Sequence, residues 1–373
     1  MTYTKRFWRF RLIVGLMACV AGVAFSRAHA AEIHIGSSAA LSGPAAALGS
    51  RYHAGAKAYF AQLNQKGGIA GNKVVVDLLD DGYEPARAEA NTKQLLDDSR
   101  VVALFGYVGT PTSNVALPYV RREKIAFVGA FSGADILREP GDPYVFNVRA
   151  SYGEEAMQLA SAMKAAGVKT LNVLFQFDSF GRTGLDAMKK ACERVGIAIV
   201  ATAPVVRNST DVSRDVEALV TKSSSDAIFM VSAYGTVAAF IDKAREKGFK
   251  GGFYTLSFVG LEPLRAALVG HMKGVTVAQV VPSAQDASRA VVASYQAAMR
   301  DSGDKKFDSI SLEGYLSARV MADGLKNAKV PLTRDTVIKG MEAIGDVDLG
   351  GFRVRFGPNQ HNGSTLIELV SDK

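Results

Sequence analysis

The sequence predicts an α/β protein with two lobes, and three observations support this fold class. Short apolar runs alternate with helical patterns from Ile33 to Gly274, which is typical of parallel sheets covered by helices. The stretch 101–135 reads as strand, loop, helix, strand, loop, and the stretch 226–260 repeats that order. The length of 373 residues exceeds one ordinary domain and suits two lobes.

The first thirty residues predict a secretory signal peptide. Four basic residues precede the apolar stretch 12–25, and Ala28-His29-Ala30 forms a small-x-small cleavage pattern. An apolar stretch this short does not suit a transmembrane anchor. A lipoprotein cut before Cys19 is the alternative, but Met17 fits that pattern poorly. We therefore expect an exported protein that begins near Ala31.

Charge and cysteine content limit the partners. The leader holds five of the 44 basic residues and no acidic one, so its removal leaves 39 basic against 36 acidic residues. No basic cluster interleaved with aromatic residues remains, which makes a nucleic-acid partner unexpected. Cys192 is then the one cysteine left, at an apolar position of a helical pattern, and we expect it to be a small buried side chain.

The chain begins, after the leader, with a strand at 33–35 and a loop at 36–44 that is too rich in Gly and Ser to be core. A helix follows at 54–63 and a strand at 74–79. Asp80 and Asp81 then open a turn that ends in Pro85, which suits the first position of a helix. We interpret the two acids as turn residues and not metal ligands, because no third carboxylate stands at a ligand spacing.

The stretch 101–135 is the predicted centre of the molecule. Its strands, 101–105 and 125–128, are each followed by a loop of small residues. Parallel strands joined by a helix place both loops at the carboxyl edge of the sheet, where open α/β sheets bind ligands. The loops offer hydroxyls, and a helix N-terminus favours an anion. We interpret them as a carboxylate cradle whose hydroxyls come from Thr110, Thr112, Ser113 and Ser132.

A third loop, 176–181, follows the strand predicted at 171–175. It contains Phe177 and Phe180, which form either a lid or stacking surface or else a packing contact between loop and helix. Packing is favoured for Phe177, and both readings stay open for Phe180. The other predicted elements are a capping box at 151–154 that opens a helix to Gly167, helices 183–196, 212–221, 287–301 and 312–327, and strands 197–203, 275–281, 352–356 and 365–370.

Enzyme motifs are missing from the sequence. It holds no G-x-S-x-G elbow, no P-loop and no dinucleotide-binding glycine pattern, and its five histidines share no metal-ligand spacing. Because no base, nucleophile and orienting group occur together, we expect no enzyme activity, no metal and no cofactor.

The motifs together resemble the periplasmic leucine/isoleucine/valine-binding proteins, the type I solute-binding components of ABC importers. The resemblance rests on the signal peptide, the LSGP motif within 35–49, the NQKGGIAG motif within 54–76, DDGYEP at 80–85, FDSFG at 177–181, and the loops at Gly106, Gly129 and Tyr234. It implies two Rossmann-like lobes joined by three crossovers that act as a hinge. The implied first lobe is 31–149 with 282–357, and the second is 150–281 with 358–373.

The resemblance also implies a ligand set. Thr110 and Ser132, with Phe131 or Ala130 as the backbone carbonyl, would hold the carboxylate and part of the ammonium of a ligand. The remaining positions that match the family's ligand residues are Phe180, which lacks the tyrosine hydroxyl of the amino-acid binders, Tyr234, and Leu48 in the LSGP motif.

One position departs from the family. Ser257 stands where amino-acid binders place an acid for the α-ammonium, and the nearest acid in sequence is Glu262. A carboxylate, an amide or an aromatic acid therefore competes with an unmodified amino acid as the expected ligand. The family's first-lobe disulfide is also missing, its positions falling near Tyr83 and Gly109.

The expected function is capture of a small organic anion or amino acid in the periplasm by lobe closure, followed by docking on an inner-membrane ABC permease. A ligand-sensing receptor of the same fold that regulates a partner protein is the alternative. A secreted hydrolase is disfavoured for want of a nucleophile set.

Overall fold

The structure, a computed structural model, describes residues 32–372. The predicted signal peptide lies outside the described residues. The strands are β1 Glu32–Ala39, β2 Lys73–Asp80, β3 Val101–Phe105, β4 Ala126–Val128, β5 Val145–Phe146, β6 Thr170–Gln176, β7 Ala198–Val205, β8 Ala227–Val231, β9 Gly252–Thr255, β10 Val275–Gln279, β11 Gly345–Asp348, β12 Arg353–Phe356 and β13 Glu368–Ser371.

Helices separate most of the strands, as the alternating pattern predicts. They are α1 Ala46–Gln65, α2 Pro85–Asp97, α3 Thr110–Glu123, α4 Tyr152–Ala165, α5 Ser179–Val195, α6 Ser213–Val216, α7 Tyr234–Glu246, α8 Leu261–Ala267, α9 Ala290–Asp301, α10 Ser309–Asn327 and α11 Arg334–Glu342.

Two sheets organise the described chain. The first has the order β2-β1-β3-β4-β5 with parallel pairs throughout. The second has the order β13-β10-β9-β8-β6-β7, and only its edge strand β13 is antiparallel. The α/β class and the two parallel-sheet lobes are therefore confirmed.

The chain passes between the two sheets three times. The passages lie between β5 and α4, between β10 and α9, whose partner is α1, and between β12 and β13. α10 also packs along α1. The predicted lobes are 31–149 with 282–357 and 150–281 with 358–373. That these two parts move as separate bodies stays a prediction.

The first strand is longer than predicted. β1 continues to Ala39, and Ser37 and Ser38 are fully buried in it. Burial is tolerated because Ser38 Oγ donates to Asp81 at 2.7 Å and Ser37 Oγ lies 3.2 Å from His53 Nε2. The expectation that 36–44 is all loop is therefore wrong for its first half.

Several local predictions are confirmed. Pro85 is the first residue of α2, and Ser151 with Glu154 forms a capping box at the start of α4. β12 pairs antiparallel with β11, with Arg353 and Arg355 on its exposed face. The units β3-α3-β4 and β8-α7-β9 share one order and one parallel pairing, as the repeated sequence pattern indicates.

Candidate functional site

The loops after β3 and β4 lie side by side at the carboxyl edge of the first sheet. Gly109 N donates to Phe131 O at 3.1 Å, and Phe131 N donates to Tyr107 O at 2.8 Å. These two bonds continue the parallel pairing beyond the ends of the strands. The two loops therefore lie at the same edge of the sheet, as the sequence predicts, and hydrogen bonds connect them.

The hydroxyls of Thr110 and Ser132 meet across these loops. Thr110 Oγ1 and Ser132 Oγ are 2.8 Å apart, and both side chains are fully buried. Thr110 is the first residue of α3, so unpaired main-chain N–H groups of the first helical turn lie beside the pair. Hydroxyls next to a helix N-terminus form a favourable place for a carboxylate or another acceptor group.

The two other predicted cradle hydroxyls have different surroundings. Thr112 Oγ1 donates to Val108 O at 2.6 Å and so serves the helix start. Ser113 Oγ is buried and has no hydrogen-bond partner among residues 32–372.

Position 109 requires glycine because the Tyr83 ring packs directly against its main chain. It adopts φ 103°, which other residues rarely adopt, and a Cβ there would lie 2.2 Å from Tyr83 Cε2. Positions 83 and 109, where the family's disulfide is missing, are therefore in contact through an aromatic ring instead.

Five aromatic rings from the loops of both sheets pack together, and one of them, Phe131, adjoins Ser132 in sequence. We call Tyr83, Phe131, Tyr152, Phe180 and Phe258 the aromatic cluster. Ring centroids are 4.5 Å apart for Phe180–Phe258, 5.5 Å for Phe131–Phe258, 5.8 Å for Tyr83–Phe258 and 5.5 Å for Tyr152–Phe180. All five rings are buried. The rings give the interior between the two sheets an apolar, aromatic wall.

Polar contacts cross between the sheets beside the cluster. Gln176 Nε2, at the end of β6, donates to Tyr83 Oη at 3.2 Å. Arg207 Nη2 and Asn208 Nδ2 donate to the Glu84 carboxylate at 2.6 and 3.1 Å. The loops after β2 and β7 are therefore tied together.

Ser257 lies next to an acid that sequence spacing did not indicate. Its main-chain N and its Oγ donate to the two carboxylate oxygens of Glu155 at 2.7 and 3.0 Å. Glu262, the nearest acid in sequence, instead accepts from Ser309. The acid at this position comes from the first turn of α4, and the expectation that Glu262 is the nearest one is wrong in space.

Arg149 completes this group of charges. Its Nη2 contacts Ser257 Oγ, and its Cζ lies 4.8 Å from the centroid of the Phe131 ring. Glu155 Oε1 and Glu313 Oε1 are each 3.6 Å from a guanidinium nitrogen. Burial raises the pKa of Glu155, and it raises the pKa of Glu313 to about 7, while Arg149 acts in the opposite direction on both.

The remaining predicted residues occupy separate places. Leu48 is fully buried on α1 and faces the loop of Gly260, where an added Cβ would lie 2.8 Å from Leu48 Cδ2. Ala130 is buried between the hydroxyl loops. Tyr234 is the first residue of α7, half-buried, and packs against the core of the second sheet.

The two aromatic residues of the third loop differ from each other. Phe180 is buried in the aromatic cluster and lies in the first turn of α5. Phe177 is 62 % exposed, with the guanidinium of Arg182 5.0 Å from its ring centroid. The packing favoured for Phe177 is therefore wrong for most of its ring, which faces solvent.

Sequence reasoning did not find Arg149, Glu155, Glu313, Tyr83 and Phe258. Glu155 adjoins the recognised capping box, and Glu313 interrupts the apolar pattern of the α10 segment. A buried charge inside an otherwise apolar helical face was the available signal. Arg149 carried no comparable signal, because its partners are far away in sequence.

No metal or membrane feature is found in the described chain. Residues 32–372 contain no group of three potential metal-binding side chains and no helix long and apolar enough to cross a bilayer. Asp80 accepts main-chain N–H groups from Leu41 and Gly82, and Asp81 accepts from Ser38. Both carboxylates thus accept hydrogen bonds within and around the turn.

A family model described as "Periplasmic binding protein" matches residues 32–371. Among curated relatives, the Leu/Ile/Val-binding protein homolog 3 of Brucella melitensis is 30% identical over 217 residues, which is 57% of each chain. The matched segment thus spans just over half of that relative. The Leu/Ile/Val-binding protein homolog 8 of Brucella suis is 24% identical over 380 residues, covering 94% of this chain and 91% of that one.

Solved structures agree in fold along most of the chain. A possible leucine/isoleucine/valine-binding protein from Rhodopirellula baltica is 33% identical with a TM-score of 0.87, covering 92% of this chain and 94% of that one. A branched chain amino acid ABC transporter from Thermus thermophilus with bound valine has a TM-score of 0.82 and the same coverage. At 18% identity, this second likeness supports the fold alone.

Proposed function

Because the chain belongs to the leucine/isoleucine/valine-binding family of type I periplasmic binding proteins, we propose that it is the substrate-binding component of an ABC importer. It captures a small amino acid or a related organic carboxylate when its two lobes close. Its relatives are binding proteins, and the chain is a binding protein and not an enzyme.

The pairing of Thr110 and Ser132 at the start of α3 carries the proposal. Two buried hydroxyls 2.8 Å apart beside a helix N-terminus can donate hydrogen bonds to a carboxylate and so form a suitable binding site for it. The hydroxyls bond to each other in this structure, and an incoming acceptor replaces that bond. Ala130 and Phe131 add main-chain groups of the same loop.

The aromatic rings form the opposite wall. Phe180 comes from the second sheet, and Phe131 comes from the first. A small apolar ligand body gains its burial against these rings. Leu48 and Tyr234 are included as further contacts because they match the family's ligand positions. Ser257 contributes a hydroxyl beside Arg149 and Glu155. Ligand identity stays open at this level, since a fatty acid ABC transporter substrate-binding protein from Thermomonospora curvata, 19% identical, shares the fold with a TM-score of 0.83.

The family implies a periplasmic location, and in this proposal the signal peptide at 1–30 directs export of the chain. Cleavage after Ala30 gives a chain that begins at Ala31, whereas lipoprotein processing gives a chain that begins at a lipidated Cys19. The intact mass of the exported protein separates the two products.

A thermal-shift screen tests the proposed function. A ligand at 1,000 times its Kd raises the unfolding free energy by about 4 kcal/mol, which is a shift of several degrees in Tm. The screen covers aliphatic and aromatic amino acids, keto acids, aromatic acids and amides. No shift with any of these classes at millimolar concentration would contradict the proposal.

A permease assay separates transport from sensing. The liganded protein should stimulate ATP hydrolysis by the permease complex with which it is reconstituted in vesicles. Binding without any such stimulation would favour the sensing receptor instead.

A further inference from the structure

Arg149 is the largest fully buried side chain in the described chain, with an exposed fraction of 1%. It lies in the passage between β5 of the first sheet and α4 of the second. Its guanidinium lies over Phe131 and contacts Ser257, both of which are residues of the candidate site. A cation is therefore present where the two lobes and the ligand residues come together.

The guanidinium has unused hydrogen-bond donors. Within residues 32–372, Arg149 Nε and Nη1 are buried and have no hydrogen-bond acceptor. Buried arginine donors are normally satisfied, since an unmet donor loses its bonds to water without replacement. Arg138, the neighbouring arginine, instead donates through both Nη atoms to the carbonyls of Ser132, Ala134, Arg149 and Ala150.

Two carboxylates lie near Arg149 without satisfying it. Glu155 and Glu313 are each 3.6 Å from a guanidinium nitrogen, beyond hydrogen-bond length. Glu155 already accepts two bonds from Ser257. No described residue donates a hydrogen bond to Glu313, so the charges of Arg149 and, to a smaller extent, Arg138 are what offset its burial.

Tyr152 links Arg149 to the hydroxyl pair. Its hydroxyl is buried and makes no hydrogen bond of normal geometry. Tyr152 N donates to Gly133 O at 2.7 Å, which ties the residue to the loop of Ser132. Burial raises the pKa of Tyr152, and Arg149 and Ser132 both act in the opposite direction. Unused donors of three kinds thus occur in one region: a guanidinium, a phenol and a helix N-terminus.

We propose that Arg149 is a ligand-binding residue, whose Nη1–Nη2 edge, with the free donors of Nη1, binds an acid group of the solute and makes a carboxylate the required feature of that solute. This inference rests on the proposed function. The planar guanidinium matches the two oxygens of a carboxylate. An amide of the same shape offers one acceptor and no charge, so it binds more weakly.

Glu313 competes with the solute for Arg149. The groups that face it are Arg149, Glu155, Arg138 and Tyr52. A solute carboxylate beside Glu155 and Glu313 adds a third negative charge, which is relieved when Glu313 takes up a proton. Since the pKa of Glu313 is already raised to about 7 by burial, uptake is easy below neutral pH. Carboxylate binding therefore weakens as the pH rises above about 7.

Matched acid and amide pairs test the proposal by titration calorimetry. The probes are benzoate and benzamide, 3-methylbutanoate and its amide, and L-leucine and L-leucinamide. With the wild-type protein, the acid of at least one pair should bind about 30-fold more tightly than its amide. Arg149→Lys keeps the charge but loses the planar fork, and should weaken that acid about 30-fold. Arg51→Lys is the control, because Arg51 is half-buried and paired with Asp304 and Asp308 away from the site.

Glu313→Gln gives an independent readout if Arg149→Lys does not fold. It removes the competing charge while keeping the shape, and should strengthen acid binding at about pH 8 and flatten the affinity between about pH 6 and pH 8. A merely structural role for Glu313 would not produce a gain.

The outcomes separate the two claims. Equal binding of acid and amide, or an unchanged acid affinity in Arg149→Lys, overturns the Arg149 assignment and leaves the proposed function standing. An unchanged pH dependence in Glu313→Gln also counts against the assignment. If no member of any pair binds the wild-type protein at millimolar concentration while a solute of another class binds, the requirement for an acid is refuted and the proposed function stands. If no solute of any class binds, both proposals are refuted.

Discussion

Individual side chains at the carboxyl edge of the first sheet form the candidate site. Thr110 and Ser132 bond to each other, and Gly109 leaves the room that the Tyr83 ring occupies. The loop motifs predicted the first two residues because small hydroxyl residues after two parallel strands must meet at one edge. Arg149 and Glu155 could not be predicted in the same way, because their relation to Ser257 depends on how distant segments cross.

Replacing Ser132 by alanine should weaken the binding of whichever solute the screen identifies. The loss of one hydrogen bond to a charged group costs roughly 1–3 kcal/mol, which is between about fivefold and about a hundredfold in Kd. Titration calorimetry measures the change. Cys192→Ala is the control, since Cys192 is buried on α5 and its thiol serves packing; equal losses in both variants would refute the role of Ser132.

His53 should make the protein less stable in mild acid. Burial lowers its pKa to about 4, although its contact with Gly106 O opposes this. The unfolded chain binds a proton near pH 6.5 and the folded chain does not, so the unfolding free energy falls as the pH drops from about 6.5 to about 4, by up to a few kcal/mol. Urea unfolding at several pH values measures the slope, and His53→Gln should reduce it. A variant with the same slope as the wild type would contradict the assignment.

At the scale of elements, α5 begins earlier than its sequence pattern predicts. Asp178 accepts the main-chain N–H groups of Phe180 and Gly181 at 3.0 and 3.2 Å and so starts the helix at Ser179. The prediction placed the start at Thr183, because Gly181 weakens the helical pattern there. The cap, and not helix propensity, brings Phe180 into the aromatic cluster.

Asp178→Ala should therefore destabilise the protein. The loss of this N-cap costs about 1 kcal/mol, which urea unfolding can resolve. Asp186→Ala is a matched control on the same helix, where the carboxylate is exposed and pairs only loosely with Lys189. Equal stability of the two variants would show that the cap is not needed.

Element types were easier to predict than element lengths. The strands around β3, β6 and β8 follow from apolar runs, since the pattern alone distinguishes a buried parallel strand from its loops. β1 and α1 extend beyond their predicted ends because Ser37, Ser38, Ala45 and Leu48 are buried by distant partners. Such tertiary burial has no local signal.

The whole molecule is held together across its two sheets by contacts of unequal strength. The aromatic cluster is buried, whereas Glu84 is 45% exposed where it pairs with Arg207. Exposed ion pairs contribute little because water and salt screen them. The apolar rings therefore supply most of the stabilisation between the two sheets.

A double-mutant cycle on Glu84→Gln and Arg207→Gln should accordingly give a small coupling, between about 0.2 and 1 kcal/mol. Thermal unfolding of the wild type, both single variants and the double variant measures it, at low and at high salt. The coupling should shrink at high salt. A coupling of several kcal/mol that salt does not change would contradict the conclusion that the aromatic rings stabilise the contact between the sheets more than this ion pair does.

The antiparallel strand β13 has a consequence for the order in which the molecule assembles. Residues 368–371 pair with β10, almost one hundred positions earlier in the chain, and complete the edge of the second sheet. This edge therefore forms only when two segments far apart in the chain have both been synthesised and have met. Such a long-range pairing is slower to form than the local β-α-β units, so we expect the edge at β13 to be completed after them.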